Sequence, residues 1–183
     1  MLGIDAVCVA PDIDETPLDA EAPEAFVRRL ALQKGLACLP DASQRGIATI
    51  LAADTTVWLD SQTLLNKPES PQHAVTMLSS LSGRRHFVST GFAVLDASAR
   101  ILAHEVVTAS VWFRALRPSE VEHYVATGEP LDRAGAYAIQ GGAASFVQRV
   151  EGSWTAIVGL PLAEVVQALA GTRRFEHLPW GRP

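Results

Sequence analysis

The segment Ile47-Ala48-Thr49-Ile50-Leu51-Ala52-Ala53-Asp54-Thr55 does most to define the fold. Residues 47–53 form an apolar run, which is typical of a strand buried on both faces, as in a parallel sheet. The run ends abruptly at Asp54 and Thr55. Because open α/β sheets usually carry their chemistry at the carboxyl ends of strands, the segment predicts a strand that delivers a carboxylate to a site.

Segments with strand and helix patterns alternate on either side of this strand. Ser70-Pro71 begins one helix as N-cap and first residue, and Gly83 ends it. The order fits an α/β or an α+β fold, of which we take α/β, with helices flanking a mixed, twisted sheet and a second lobe formed by the middle of the chain. The other expected elements are strands at 6–10, 86–95, 101–113 and 145–150, and helices at 24–39, 118–127 and 162–170. The strands at 86–95 and 101–113 are expected to form an antiparallel pair, and Gly171 to end the last helix.

Size and charge limit the classes of protein. The 183 residues, of which 48% are apolar, predict a single domain over 1–171 followed by a surface tail over 172–183. The net charge is −5 and the arginines form no basic stripe, so a nucleic acid polymer is not an expected partner. No apolar run is long enough to span a bilayer and the start lacks signal-peptide features, so we expect a soluble cytoplasmic protein without a membrane partner.

Carboxylates supply the first candidates for chemistry. Asp12, Asp14 and Glu15 crowd the acidic loop 11–17, and Asp54 ends an apolar strand. Hard oxygen ligands of this kind suit Mg²⁺ or Mn²⁺. The structural alternatives are a solvated turn for the loop and a helix or turn cap for Asp54. Asp54 is the harder to explain structurally, since a buried carboxylate without a partner is costly.

Two cations and one amide are further candidates. The only lysines, Lys34 and Lys67, each follow one of the acidic segments and could hold phosphate oxygens, although two surface lysines would look the same. In the small-residue segment 135–142, the amide of Gln140 suits reading a base edge or holding a water, and the alternative is a tight turn. Motifs for a phosphate-binding P-loop, a zinc site or a nucleophilic serine are absent from the sequence.

Taken in order from Leu2 to about Leu169, these segments resemble the Maf family of nucleoside triphosphate pyrophosphatases. The family has glycine where this chain has Asn66. The matching segments are Pro11-Asp12-Ile13-Asp14-Glu15-Thr16; Arg29-Leu30-Ala31 with Lys34; Leu51-Ala52-Ala53-Asp54-Thr55; Lys67-Pro68; Leu81-Ser82-Gly83-Arg84 with His86, Val88, Thr90 and Gly91; Thr127-Gly128-Glu129-Pro130; Ala134-Gly135-Ala136-Tyr137-Ala138-Ile139-Gln140-Gly141; and Val158-Gly159-Leu160-Pro161-Leu162.

The resemblance implies two lobes around a central cleft, a homodimer, and hydrolysis of a nucleoside triphosphate between its α and β phosphates with Mg²⁺ or Mn²⁺. The Gly-Ala-Tyr-Ala-Ile-Gln segment is similar to the branch that acts on dTTP and UTP. By position, the resemblance assigns Asp54 as general base and metal ligand, Glu15 as ligand of metal and substrate, Lys34 and Lys67 as phosphate-binding residues, and Thr55 and Gln140 as residues that tune base choice.

One family segment has no counterpart in this sequence, namely a Ser-x-Ser-Pro-Arg-Arg loop that grips the triphosphate. Three hypotheses follow. The natural protein has an upstream start and is a working pyrophosphatase, which we favour; or the chain is a non-catalytic nucleotide-binding or dimer-forming protein; or the same scaffold is specific for 7-methyl-GTP.

Overall fold

The computed structural model describes residues 6–60 and 63–170, which are built on one five-stranded sheet. The strand order is β2-β1-β3-β4-β5, and every pairing between these strands is antiparallel. The strands are β1 (Thr49–Trp58), β2 (Leu64–Leu65), β3 (Arg85–Asp96), β4 (Ile101–Phe113) and β5 (Val147–Glu151).

Within the described residues, six helices flank the sheet, together with three short 3₁₀ segments. In α1, apolar residues at helical spacing are buried, including Phe26, Val27 and Leu30. The Ser70 hydroxyl caps α3 by accepting a hydrogen bond from the His73 N–H at 3.1 Å. The helices are α1 (Pro23–Ala37), α2 (Leu39–Gln44), α3 (Pro71–Leu81), α4 (Pro118–Ala126), α5 (Trp154–Val158) and α6 (Leu162–Ala170), and the 3₁₀ segments are Glu129–Asp132, Ala134–Ala136 and Gly142–Phe146.

The largest apolar cluster lies where α3 and α4 pack with strands β1, β3 and β4. The first helix, α1, contributes a separate cluster, and a third joins β3 to α6 through Phe92, Val94, Val165 and Leu169. The sheet is therefore covered by different helices at different places, and β1 and β3 connect these layers.

The expectations of helices flanking a sheet are confirmed, as is the antiparallel pair formed by β3 and β4. One strand prediction is wrong, since residues 6–10 are not a strand and Val7 and Val9 are 56% and 48% exposed. The strand predicted over 47–53 is present from residue 49, but it is antiparallel, continues to Trp58 and is only partly buried.

Asp54 consequently lies in the middle of β1 rather than at its end. The sheet also differs from the expected mixture of parallel and antiparallel strands, since no two neighbouring strands in the described residues are parallel. Residues 171–183 are outside the described part, so Gly171 as a helix stop and the tail over 172–183 stay predictions, as does the single domain over 1–171. Among the described residues, no helix combines the length and apolar character needed to cross a bilayer.

Candidate active site

The side chains of Glu15, Lys34 and Asp54 meet at one point between the acidic loop, α1 and β1. The Lys34 ammonium lies 2.6 Å from Asp54 Oδ1 and 2.7 Å from Glu15 Oε1. Asp54 is 10% exposed and Lys34 20%, whereas Glu15 is 53% exposed. The inner carboxylate is thus nearly enclosed, and the outer one remains open to solvent.

Burial and charge act in opposite directions on the two inner groups. Burial raises the pKa of Asp54, the hydrogen bond and charge of Lys34 oppose this rise, and the nearby Glu15 adds to it. Burial alone would lower the pKa of Lys34, but its hydrogen bonds to Asp54 and Glu15 outweigh burial, and the pKa is raised. Lys34 is therefore a firmly charged ammonium, and Asp54 is a carboxylate that takes up a proton more readily than an exposed aspartate does.

A cavity of about 430 Å³ opens beside this cluster. Five of the six predicted site residues line it: Glu15, Lys34, Asp54, Thr55 and Lys67. The sixth, Gln140, is exposed and is not among the residues that line the cavity. The structure thus brings five of these residues to one cavity and leaves Gln140 outside its lining.

The other acidic-loop residues do not line the cavity. Asp12 and Asp14 are both exposed. Asp14 Oδ1 accepts a hydrogen bond from the Thr16 N–H at 2.9 Å, which shapes the turn. Hydrogen bonds from the side chain and then the backbone of Thr16 lower the pKa of Asp14. For these two residues the structural interpretation, a solvated turn, is the one that the structure supports.

At the cavity wall formed by the segment after β2, the Lys67 ammonium contacts Asp132 Oδ1 at 2.6 Å. Both side chains are largely exposed, and Arg133 lines the cavity next to them. Sequence reasoning missed Asp132 and Arg133. They lie 65 residues or more from Lys67 in the chain. Asp132 ends a 3₁₀ segment and Arg133 follows it, so neither residue belongs to a periodic sequence pattern that could have identified it.

Thr55 is held by a chain of hydroxyl groups. Its Oγ1 lies 2.7 Å from Thr90 Oγ1, and the Thr90 hydroxyl donates to the Ala156 carbonyl oxygen at 2.7 Å. The next residue of the strand, Thr56, donates its hydroxyl hydrogen to the side-chain oxygen of Asn66 at 2.9 Å. The side chain of Asn66, which stands where the family has glycine, thus ties the segment before Lys67 to β1.

The loop that carries Gln140 is anchored from behind by Glu129. The Glu129 carboxylate accepts hydrogen bonds from the Tyr124 hydroxyl at 2.7 Å and from the Gly142 N–H at 3.0 Å. The Ala138 N–H in turn donates to the Tyr124 oxygen at 3.1 Å. A side chain at Gly141 would overlap the Glu129 carboxylate, so the small residues of this loop are needed for packing.

The donor chemistry around Lys34 is compatible with a divalent cation. Two carboxylates already converge on one positive charge, and carboxylate oxygens are the ligands that Mg²⁺ and Mn²⁺ prefer. Among the described residues, no group of three or more histidine, cysteine, aspartate and glutamate side chains is placed to hold a metal ion. Glu15 and Asp54 therefore suit an ion that takes its remaining ligands from a phosphate and water rather than from a protein cage.

Comparison with known proteins gives matches over nearly the whole chain. A family model described as "Maf-like protein" matches residues 1–172. A dTTP/UTP pyrophosphatase of Acinetobacter baylyi is 46% identical over 174 residues, which cover 95% of this chain and 92% of the relative. Proteins of the same name from Desulfotalea psychrophila (45% identical; 92% of this chain, 84% of the relative) and Geobacter metallireducens (45% identical; 91% and 85%) are similar over almost as much. This chain belongs to the Maf-like protein family.

Proposed function

We propose that this chain is a nucleoside triphosphate pyrophosphatase that hydrolyses dTTP and UTP to the monophosphate and pyrophosphate. The observation that carries the proposal is the meeting of Asp54, Lys34 and Glu15 at the wall of a cavity that Lys67 also lines. The relatives named dTTP/UTP pyrophosphatase support the choice of reaction and of substrate.

In this proposal Asp54 is the general base. It is shielded from solvent, and its raised pKa makes its carboxylate a better proton acceptor for a water that attacks the α-phosphate. A general base also has to be ionised before it reacts, and the adjacent Lys34 ammonium favours the ionised form.

Lys34 has a second task, which is to bind phosphate. An ammonium has three N–H donors, and two of them suffice for its contacts with Asp54 and Glu15, which leaves a third for a phosphate oxygen. Charges about 4 Å apart interact by about 4 kcal/mol at an effective dielectric constant of about 20. Lys67 and Arg133 add positive charge at the same cavity, so a triphosphate meets cations from more than one side.

We further propose that Glu15 and Asp54 would hold Mg²⁺ or Mn²⁺ when the substrate is present. Such an ion would polarise a water and neutralise charge at the α-phosphate. Glu15, as the more exposed of the two carboxylates, could adjust its position to admit it.

Pyrophosphate release is the measurement that tests the function. We expect the chain to release pyrophosphate, not inorganic phosphate, from dTTP and UTP in the presence of Mg²⁺ or Mn²⁺, and to act more slowly on CTP, ATP and 7-methyl-GTP. The variant Asp54→Asn should lose roughly a hundredfold to ten-thousandfold in rate, which is the usual contribution of a general base.

Asp41→Asn is the matched control. Asp41 is an aspartate paired with Arg45 on α2, and it does not line the cavity, so its amide variant should keep the full rate. Binding of UTP without pyrophosphate release from the unaltered chain would instead support a non-catalytic nucleotide-binding protein. Preferential hydrolysis of 7-methyl-GTP would replace the proposed substrate, and equal rates for the Asp54 variant and the unaltered chain would remove Asp54 from the mechanism.

Two further proposals concern the whole protein. The resemblance to the family supports association of two copies of the chain, and the sequence features described above are the ground for placing it in the cytoplasm. The mass of the particle in solution, measured by light scattering, tests the first. Fractionation of cells that express the protein tests the second.

A further inference from the structure

We propose that Thr90 is a positioning residue that fixes the hydroxyl of Thr55 as a hydrogen-bond acceptor toward the cavity. In this arrangement Thr55 selects a base with an N–H group at the point of contact, such as the imide of uracil or thymine. The inference rests on the proposed function, because it explains how the site would prefer these bases over cytosine.

The direction of the hydrogen bonds carries the argument. A threonine hydroxyl has one hydrogen, and that of Thr90 is donated to the Ala156 carbonyl oxygen, which can only accept. The contact of 2.7 Å between the Thr55 and Thr90 oxygens therefore needs its hydrogen from Thr55. Once this bond is made, Thr55 has no hydrogen left to donate to a ligand.

Burial keeps this arrangement in place. Thr90 and Ala156 are completely buried, so water cannot compete for the Thr90 hydrogen. The Ala156 carbonyl oxygen also accepts from the Gly159 N–H at 2.9 Å, so the Thr90 hydroxyl fills its second lone pair. Thr55 is half-buried and lines the cavity, so its remaining lone pair is the part of the hydroxyl that a ligand can reach. Thr90, which does not line the cavity, thus makes the Thr55 oxygen a hydrogen-bond acceptor for a ligand.

The position of Thr55 suits the reading of a base. Neighbouring side chains of a strand point to opposite faces, so Thr55 faces away from the carboxylate of Asp54 and from Lys34. Two uncharged residues lie at its hydroxyl: Thr90 on one side, and on another Gly159, where a side chain would begin 3.8 Å from the Thr55 oxygen. A flat, neutral base fits these surroundings better than a phosphate does.

Uracil and thymine differ from cytosine at ring atom N3. Uracil and thymine carry a hydrogen on N3, which the Thr55 oxygen can accept, whereas cytosine presents a lone pair there and would meet another lone pair. A site with a fixed acceptor rejects the second arrangement, because one buried polar atom on each side stays unpaired.

The test compares the binding of two analogues that cannot be cleaved between the α and β phosphates, α,β-methylene-UTP and α,β-methylene-CTP. The protein should bind the UTP analogue more tightly. In Thr90→Val the hydroxyl of Thr55 regains a free hydrogen, and the preference should fall by roughly fivefold to tenfold, the equilibrium ratio of one neutral hydrogen bond. Thr90→Ser keeps the hydroxyl and should restore the preference.

Thr108→Val is the control, because it makes the same chemical change in the same sheet. The Thr108 hydroxyl pairs with Ser89 at 2.8 Å, and Thr108 does not line the cavity, so the preference should not change. An unaltered preference in a folded Thr90→Val variant would overturn the inference. If that variant does not fold, the unaltered protein still decides: equal affinity for the UTP analogue and for its N3-methyl derivative would overturn it too.

These binding experiments separate the inference from the proposed function. If UTP is hydrolysed but the preference for the UTP analogue over the CTP analogue is the same in Thr90→Val, only the inference fails. If the preference depends on Thr90 but no pyrophosphate is released, only the proposed reaction fails. An unaltered protein that binds neither analogue would overturn the inference directly.

Discussion

The buried imidazole of His86 is expected to make the stability of this fold sensitive to mild acid. His86 is completely buried, and its Nε2 lies 2.9 Å from the Tyr137 hydroxyl. Phe113 and Tyr137 stand edge-on to the imidazole, with ring centroids at 4.8 and 5.4 Å. Among the described residues, Nδ1 has no hydrogen-bond partner. Burial therefore lowers the pKa of His86 from 6.5 to about 3.

The direction of the effect follows from proton binding in the two states. Between pH 6.5 and about 3, His86 is neutral in the folded protein but protonated in the unfolded chain. Since the unfolded chain then binds more protons, the free energy of unfolding falls as the pH falls. Each pH unit well inside this window costs about 1.4 kcal/mol, so about 2.5 kcal/mol is lost between pH 7 and pH 4.5. Domains are commonly stable by only about 5–15 kcal/mol, so the loss is substantial.

Urea unfolding at a series of pH values from 7 to 4.5 measures this loss. The variant His86→Gln lacks the titrating group. Between pH 7 and pH 4.5 we expect its free energy of unfolding to fall by about 2.5 kcal/mol less than that of the unaltered protein, whatever its stability at pH 7. His123→Gln is the control, because His123 is exposed on α4 and its replacement removes a histidine without touching the buried one. Parallel pH curves for His86→Gln and the unaltered protein would refute the reasoning.

Three further changes test the packing and the site. Gly91→Ala should destabilise the fold by about 1–3 kcal/mol or more in urea unfolding, because the added carbon would overlap the backbone of α1; unchanged stability would contradict the close approach. Ser70→Ala should cost about 1 kcal/mol by loss of the α3 cap, and Ser79→Ala, an exposed change on the same helix, should cost less; equal costs would argue against the cap. Asp132→Asn should free Lys67 for phosphate and lower the KM for UTP with little change in kcat, as steady-state kinetics would measure; a raised KM would mean that Asp132 supports substrate binding.

Local patterns in the sequence predict most of the elements correctly. The cap at Ser70, the β-branched and aromatic runs of β3 and β4 and the apolar spacing of α1 all act over short distances, and each element forms where expected. The apolar run before Asp54 was misleading. Apolar composition fits a buried parallel strand, but the direction of β1 is set by its pairing with β3. The residues that pair in the middle of these strands, such as Thr55 and Thr90, are 35 or more residues apart in the chain.

The candidate site divides in the same way. The titratable residues of the site were found because a carboxylate in an apolar strand and the chain's only two lysines are unusual features of a sequence. The contacts that hold two of the site residues, Asp132 with Lys67 and Thr90 with Thr55, were not predicted. Each of these contacts joins two residues that are far apart in the chain, and neither threonine nor an exposed aspartate stands out in composition.

The register between β1 and β3 connects catalysis with base choice. Opposite Asp54 lies Gly91, whose lack of a side chain lets the α1 backbone approach the sheet closely and brings Lys34 within hydrogen-bond distance of Asp54. Opposite Thr55 lies Thr90, which holds the Thr55 hydroxyl on the other face. A shift of one residue would move each side chain to the opposite face, so it would separate the carboxylate from its lysine and the hydroxyl from its partner together. In this fold a single strand pairing therefore determines the geometry of both the proposed general base and the proposed base-reading hydroxyl.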